Sequence, residues 1–186
     1  ERRMRRLFRG SHNLRRRLRS NKSRENYLSE SLPPPKGIGG WLILVAIGLF
    51  VTPLKAIHFL WTNFLPIFQG DGWRRLTTPG TEAFHPYWKP LLIFEIAGNL
   101  TVISLGLFAG YHFFMKTRLA PRLLMMWFGF SAVFVLIDFF VANLIPAVAA
   151  HDDPDSTKEV IRALVAAIIW VPYFLVSKRV KATFVE

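Results

Sequence analysis

Four long apolar runs constrain this chain more than any other feature of it. A helix crosses roughly 30 Å of hydrocarbon with about 20 mainly apolar residues, at about 1.5 Å of rise per residue. Stretches near residues 38–62, 87–115, 122–148 and 159–176 each meet that requirement. They predict an all-α membrane protein, a four-transmembrane-helix bundle. Thr52-Pro53 marks a point where the first helix is expected to kink. None of the runs reads as a removable signal peptide, because no short apolar core is followed by a small-residue cleavage site. The first residue is Glu1 rather than Met, so residues upstream of it are expected.

Charge decides the orientation. The 186 residues are 52% hydrophobic yet carry a net charge of +12, a mixture that a soluble domain of this size seldom shows unless its apolar and basic parts are segregated. Twelve of the 24 Lys and Arg residues fall between Arg2 and Lys36. Lys116, Arg118 and Arg122 follow the second run, and Lys178, Arg179 and Lys181 follow the fourth. Short loops rich in Lys and Arg stay on the cytoplasmic side, which predicts both termini there. The opposite loops mix Arg74, Arg75, Lys89 and Lys158 with Asp71, Glu82, Asp152, Asp153, Asp155 and Glu159. Without a single cysteine, disulfides, thiolate metal sites and cysteine nucleophiles are excluded.

Three regions follow from these signals: an Arg-rich cytoplasmic arm with a proline hinge (1–36), the transmembrane domain (37–177) and a basic tail (178–186). In the arm, Met4, Leu7, Phe8, Leu14 and Leu18 recur among arginines at nearly helical spacing, which suits a surface helix on anionic headgroups. The predicted contacts with anionic lipid or a protein partner are Arg2, Arg3, Arg5, Arg6, Arg9, Arg15, Arg16, Arg17 and Arg19, with Lys178, Arg179 and Lys181 of the tail. Nucleic acid is not an expected partner. Trp61, Phe64, Phe68, Trp73, Phe84, Tyr87 and Trp88, around the loop 63–86, read as an interfacial aromatic belt. The acidic loop 149–157 lacks the Gly turn and terminal Glu of an EF-hand, so no metal site is assigned and no cofactor is expected.

The flanks of the first and last runs carry a resemblance. Gly37-Ile38-Gly39-Gly40-Trp41-Leu42-Ile43-Leu44 opens the first, and Ile169-Trp170-Val171-Pro172-Tyr173-Phe174-Leu175, then Ser177-Lys178-Arg179-Val180-Lys181-Ala182-Thr183-Phe184, closes the last. In these motifs the chain resembles the domain-of-unknown-function 2569 family of uncharacterised bacterial inner-membrane proteins, over about Pro34 to Val185. The resemblance implies a multi-pass protein of the bacterial inner membrane with four helices and no assigned reaction. The arm lies outside the matched region.

Charged residues inside the runs matter most, since an unpaired charge at mid-bilayer is costly and persists only with a reason. Helical rise places Glu95 about 12 Å below the external boundary and Asp138 about 24 Å above the internal one, with Lys55 and Arg162 at a similar level. Asn99 and Asn143 add amides nearby. The expectation is a polar cluster of Lys55, Glu95, Asn99, Asp138, Asn143 and Arg162 near the outer end of the bundle. Its bland role is to fix which helix faces which. In the inner half only Ser104, Tyr111 and His112 of the second helix are polar, so that half is expected to be sealed. His58 and His112 read as interfacial.

An enzyme is not expected: there is no Ser-His-Asp arrangement, phosphate loop or metal-spaced His and carboxylate set. The leading expectation is a non-catalytic accessory or assembly subunit packing against other membrane-protein subunits and lipid, with no small-molecule substrate identified. Small residues on the second helix (Gly98, Gly106, Ala109, Gly110) and the fourth (Ala163, Ala166, Ala167) would invite neighbouring helices. The alternative is a small ion- or proton-coupled transporter using Glu95 and Asp138.

Overall fold

A computed structural model of the chain describes residues 37–151 and 154–185. The residues of the arm named above as lipid or partner contacts, Arg2 to Arg19, lie outside the described residues, as do Asp152 and Asp153.

Four helices are long and apolar enough to cross a membrane: Trp41–Gln69, Trp88–Phe114, Ala120–Ala142 and Pro154–Val176. The first is composite. α1 (Trp41–Phe59) runs into a π-helical turn at Leu60–Phe64 and then into the short α2 (Leu65–Gln69). Pro66 accounts for the widening: it has no N–H to offer the Thr62 carbonyl, and its ring would crowd that carbonyl in a regular α-helix. Pro53 lies inside α1 without ending it. The segment expected to be a loop from residue 63 therefore begins as helix, and α3 (Gly72–Thr77) follows before the chain re-enters as α4 (Trp88–Phe114).

α4 matches its sequence run to within a residue at each end. Its exit is a Schellman turn, in which Lys116 donates to Phe113 O, Thr117 donates to His112 O, and Lys116 takes φ 54° in the left-handed region. α5 (Ala120–Ala142) is shorter than the expected run to 148. Pro146 stops it: the residue before a proline is pushed out of the α region, and Ile145 sits at φ −90°, ψ 115°. A one-turn α6 (Pro146–Ala149) follows, and α7 (Pro154–Val176) begins five residues before its expected start and continues through Pro172. The tail is folded too. Ser177 accepts a hydrogen bond from the Val180 N–H at 3.4 Å and so caps α8 (Lys178–Thr183).

α1 packs on α4, α4 on α5, and α5 on α7. The buried stripe of α1 is Leu42, Val45, Leu49, Pro53 and Ala56, close to helical period. Glycine allows the close approach of α4. A side chain at Gly98 would collide with the Phe134 ring, and one at Gly106 would meet Trp127 at 2.9 Å and Pro53 at 3.4 Å. The Trp127 indole N–H donates to Val102 O at 3.0 Å, joining the two helices at this buried level. Gly98 and Gly106 of α4 thus accommodate the bundle's own helices.

Both described ends meet at one end of the bundle, here termed the base; the loops at 70–87 and 143–154 form the top. At the base a continuous core contains Leu42, Val45, Leu49, Phe113, Leu124, Trp127, Phe174, Val180 and Phe184. Large apolar residues such as Phe50, Leu54, Ile168 and Val176 stand exposed around the outside, as lipid-facing residues of spanning helices do.

Candidate functional site

Two places gather chemistry: the carboxyls toward the top and the closure of the base. Antiparallel pairing of α4 and α5 sets Phe94 against Phe134 at 5.2 Å between ring centroids and Gly98 beneath the same ring. Continuing that register brings Glu95 level with Asp138, close enough for the two carboxyls to interact electrostatically. Asp138 is likewise within electrostatic reach of Glu159 on α7. Both Glu95 and Asp138 are half-buried. The Oδ1 of Asp138 is buried with no hydrogen-bond partner among the described residues, as is Oγ of Ser131, two turns earlier on the same face of α5.

The other four residues of the expected cluster do not join this pair. Asn99 donates to Glu95 O at 2.9 Å and Asn143 to Phe139 O at 2.7 Å, each one turn back on its own helix. An amide engaged with its own helix does not bridge to another. Lys55 lies off the buried stripe of α1 and is exposed, and Arg162 is exposed on α7. Among the described residues neither forms an ion pair; the ion pair seen there joins Lys158 to Asp155 at 2.8 Å at the top. Long cationic side chains near a span's end reach toward the headgroups, which explains why they leave the interior. What remains partly buried is Glu95 and Asp138, near one level of the bundle.

The base is closed by the residues just before α1 and by α8 at the other end of the described segment. Thr183, 4% exposed, accepts a hydrogen bond from Gly37 N–H through Oγ1 at 3.0 Å, and the same hydroxyl lies 3.4 Å from Gly37 O. Gly40 takes φ 57°, and a side chain there would lie 2.5 Å from Nη1 of Arg179, whose guanidinium also covers Gly39. Phe184 packs on Phe113 at 5.5 Å, and Trp41 meets Trp170 edge-on at 6.3 Å. Arg118, in the α4–α5 turn, donates from Nε to Val185 O at 2.9 Å. The opening and closing motifs of the sequence are therefore two halves of one structure. Within the expected basic tail 178–186, the structure forms a docked helix that sets Arg179 over the glycines and leaves Lys178 and Lys181 exposed.

In the half nearer the base, Ser104 and Tyr111 are exposed on the outside of the bundle, and the His112 ring nitrogen Nδ1 pairs with Thr117 Oγ1 at 2.9 Å beside the turn. His58 is exposed. Among the described residues no three His, Asp or Glu side chains converge as metal ligands would.

Four spanning helices, a packed base and intramembrane charge confined toward the top define a small multi-pass integral membrane protein. Comparison with known sequences is specific about its kin. The chain belongs to the family described as protein of unknown function (DUF2569), whose profile matches residues 35–185. It is 30% identical over 157 residues to the inner membrane protein YdgK of Escherichia coli strain K12, a match covering 82% of this chain and 96% of that protein. No solved structure matches it significantly. Its place is the bacterial inner membrane, where its exposed apolar flanks contact lipid.

Proposed function

We propose that this protein is a non-catalytic accessory or assembly subunit that packs against a larger inner-membrane complex, with both chain ends cytoplasmic and the basic arm on that face. The observation that carries the reading is the closed base. The core there is built of apolar residues from α1, α4, α5, α7 and α8, with Thr183 buried beside it on Gly37, and the other polar residues of the inner half lie outside it or at its rim. A translocation path needs polar groups along its length, and a reaction centre needs convergent ones. With neither inside the base, what the bundle offers to other molecules is the exposed flanks of α1 and α7. Orientation follows from the clustering of Lys and Arg at the base and in the arm.

Crosslinking in intact membranes followed by native co-purification and mass spectrometry tests the reading. A reproducible membrane-protein partner, lost when residues 1–32 are removed or when an exposed flank is altered, is the expected result. Recovery only as a free monomer after crosslinking would remove the support for a subunit.

The two half-buried carboxyls, with Oδ1 of Asp138 lacking a hydrogen-bond partner among the described residues, favour a second reading, a small ion- or proton-coupled transporter using Glu95 and Asp138. Its test is flux in proteoliposomes. Transport by the parent that disappears in Glu95→Gln and Asp138→Asn would favour it over the subunit, and background flux in all three would set it aside.

A further inference from the structure

We propose that the base of the bundle is a binding surface for anionic phospholipid headgroups, formed by Arg122, Lys178 and Lys181. This goes beyond the reading as a subunit and does not depend on it, since it needs only the bundle in a bilayer.

Three observations lead there. First, the sign of the charge is uniform: the base carries Lys116, Arg118, Arg122, Lys178, Arg179 and Lys181, and among the described residues no Asp or Glu accompanies them. Arg122, Lys178 and Lys181 are exposed, and among the described residues no ion pair engages them. Like charges gathered on one face attract anions from outside the protein.

Second, the cations are interleaved with exposed apolar residues. Leu119 is 41% exposed three residues before Arg122, and Val176 is 72% exposed two residues before Lys178. This mixture selects the occupant. A soluble phosphate or a nucleic acid would neutralise the cations but leave the apolar side chains in water. A neutral lipid would cover the apolar side chains without supplying net negative charge. An anionic phospholipid does both, with its acyl chains against Leu119 and Val176 and its phosphate among the cations.

Third, the cations are held in place before any ligand arrives. α8 is capped by Ser177, tied to Gly37 through Thr183 and anchored by Phe184 on Phe113. Arg122 stands in the first turn of α5. Groups fixed on packed helices lose little freedom on binding, so less of the attraction is spent on ordering them.

The experiment uses the purified full chain in detergent micelles with photoactivatable phosphatidylglycerol, and peptide mass spectrometry locates the adducts. Mapping separates the base from the arm, which carries its own positive charge. Adducts are expected within residues 115–124 and 175–185, competed by unlabelled phosphatidylglycerol but not by phosphatidylcholine, inorganic phosphate or a single-stranded oligonucleotide. In the triple variant Arg122→Gln, Lys178→Gln, Lys181→Gln, labelling of these peptides is expected to fall at least about tenfold, because each cation near an anionic surface contributes roughly a factor of five. The charge-preserving variant Arg122→Lys, Lys178→Arg, Lys181→Arg should label like the parent, which separates charge from side-chain shape. Unchanged labelling in the triple variant would overturn the proposal. So would equal competition by phosphatidylcholine, phosphate or the oligonucleotide, the last two pointing to a soluble anion or nucleic acid instead.

Discussion

Gly98 has no room for a side chain, because a Cβ built there falls within the Phe134 ring. Gly98→Leu is therefore expected to lower stability by about 3 kcal/mol or more, since overpacking a close helix contact forces backbone movement. Gly48 is the internal control: nothing lies within 4 Å of a Cβ there, so Gly48→Ala should be neutral or gain up to about 1 kcal/mol of helix propensity. Thermal unfolding midpoints of both variants in one detergent check the pair, and equal midpoints would show that α4 and α5 are not packed at Gly98. At the base, Thr183→Val keeps the shape but leaves Gly37 N–H without its side-chain acceptor, a loss of about 1–3 kcal/mol that faster amide exchange at Gly37 would report. The sequence made Gly98 and Gly106 visible as small residues, but not what would fill the space they leave. That depends on the α4–α5 register, and only the register sets Phe134 and Trp127 against them. The carboxyls were legible for the opposite reason: Glu95 and Asp138 stand out in any apolar run, and helical rise alone put them near one level. The amides were misjudged because Asn reaches its own helix's carbonyl more readily than a neighbouring helix.

Element boundaries follow how strongly local chemistry contradicts hydropathy. α4 was read almost to the residue because nothing inside it breaks a helix except Pro90, which sits in the first turn where proline is tolerated. The run through Asn143 to Val148 is apolar enough to suggest a longer α5, yet Pro146 overrides hydropathy and sends Ile145 into extended geometry. Pro146→Ala removes that obstacle. The expected outcome is a helix continuous from α5 into α6, seen as slowed amide exchange at residues 144–146; unchanged exchange there would mean that the top loop, not the proline, ends α5. α8 went unread because six residues cannot display a helical period. Its signals were the capping residue Ser177 and the i,i+4 pair Val180 and Phe184, both buried against the base. Ser177→Ala should loosen α8 by about 1 kcal/mol. Since the chain has no cysteine, Val180→Cys in that background and in the parent gives a direct reading: thiol labelling should be faster where the cap is missing. Equal rates would mean that Thr183 and Phe184 hold the helix without its cap.

For the whole molecule, the number of spans and the distribution of charge answer different questions and can be tested separately. Four spanning helices, with residues 37–40 and α8 joined at the base, require the α4–α5 turn and the tail to share one side of the membrane whichever side that is. Charge then selects the side. The base holds six cations and, among the described residues, no acid, whereas the top balances Arg74, Arg75, Lys89 and Lys158 against Asp71, Glu82, Asp155 and Glu159. Cationic segments beside spans are retained in the cytoplasm, so the base is expected to face inward. Single cysteines at Glu82, Arg122 and Lys181, all exposed positions, report both points when a membrane-impermeant thiol reagent is added to intact cells. Glu82→Cys is expected to label at once, with Arg122→Cys and Lys181→Cys labelling only after permeabilisation. If Arg122→Cys and Lys181→Cys label from opposite sides, the four-span architecture itself is wrong, because no orientation of this bundle separates them. If both label from outside while Glu82→Cys is protected, the bundle stands but is inverted, and the lysines and arginines of the base have failed to set its direction.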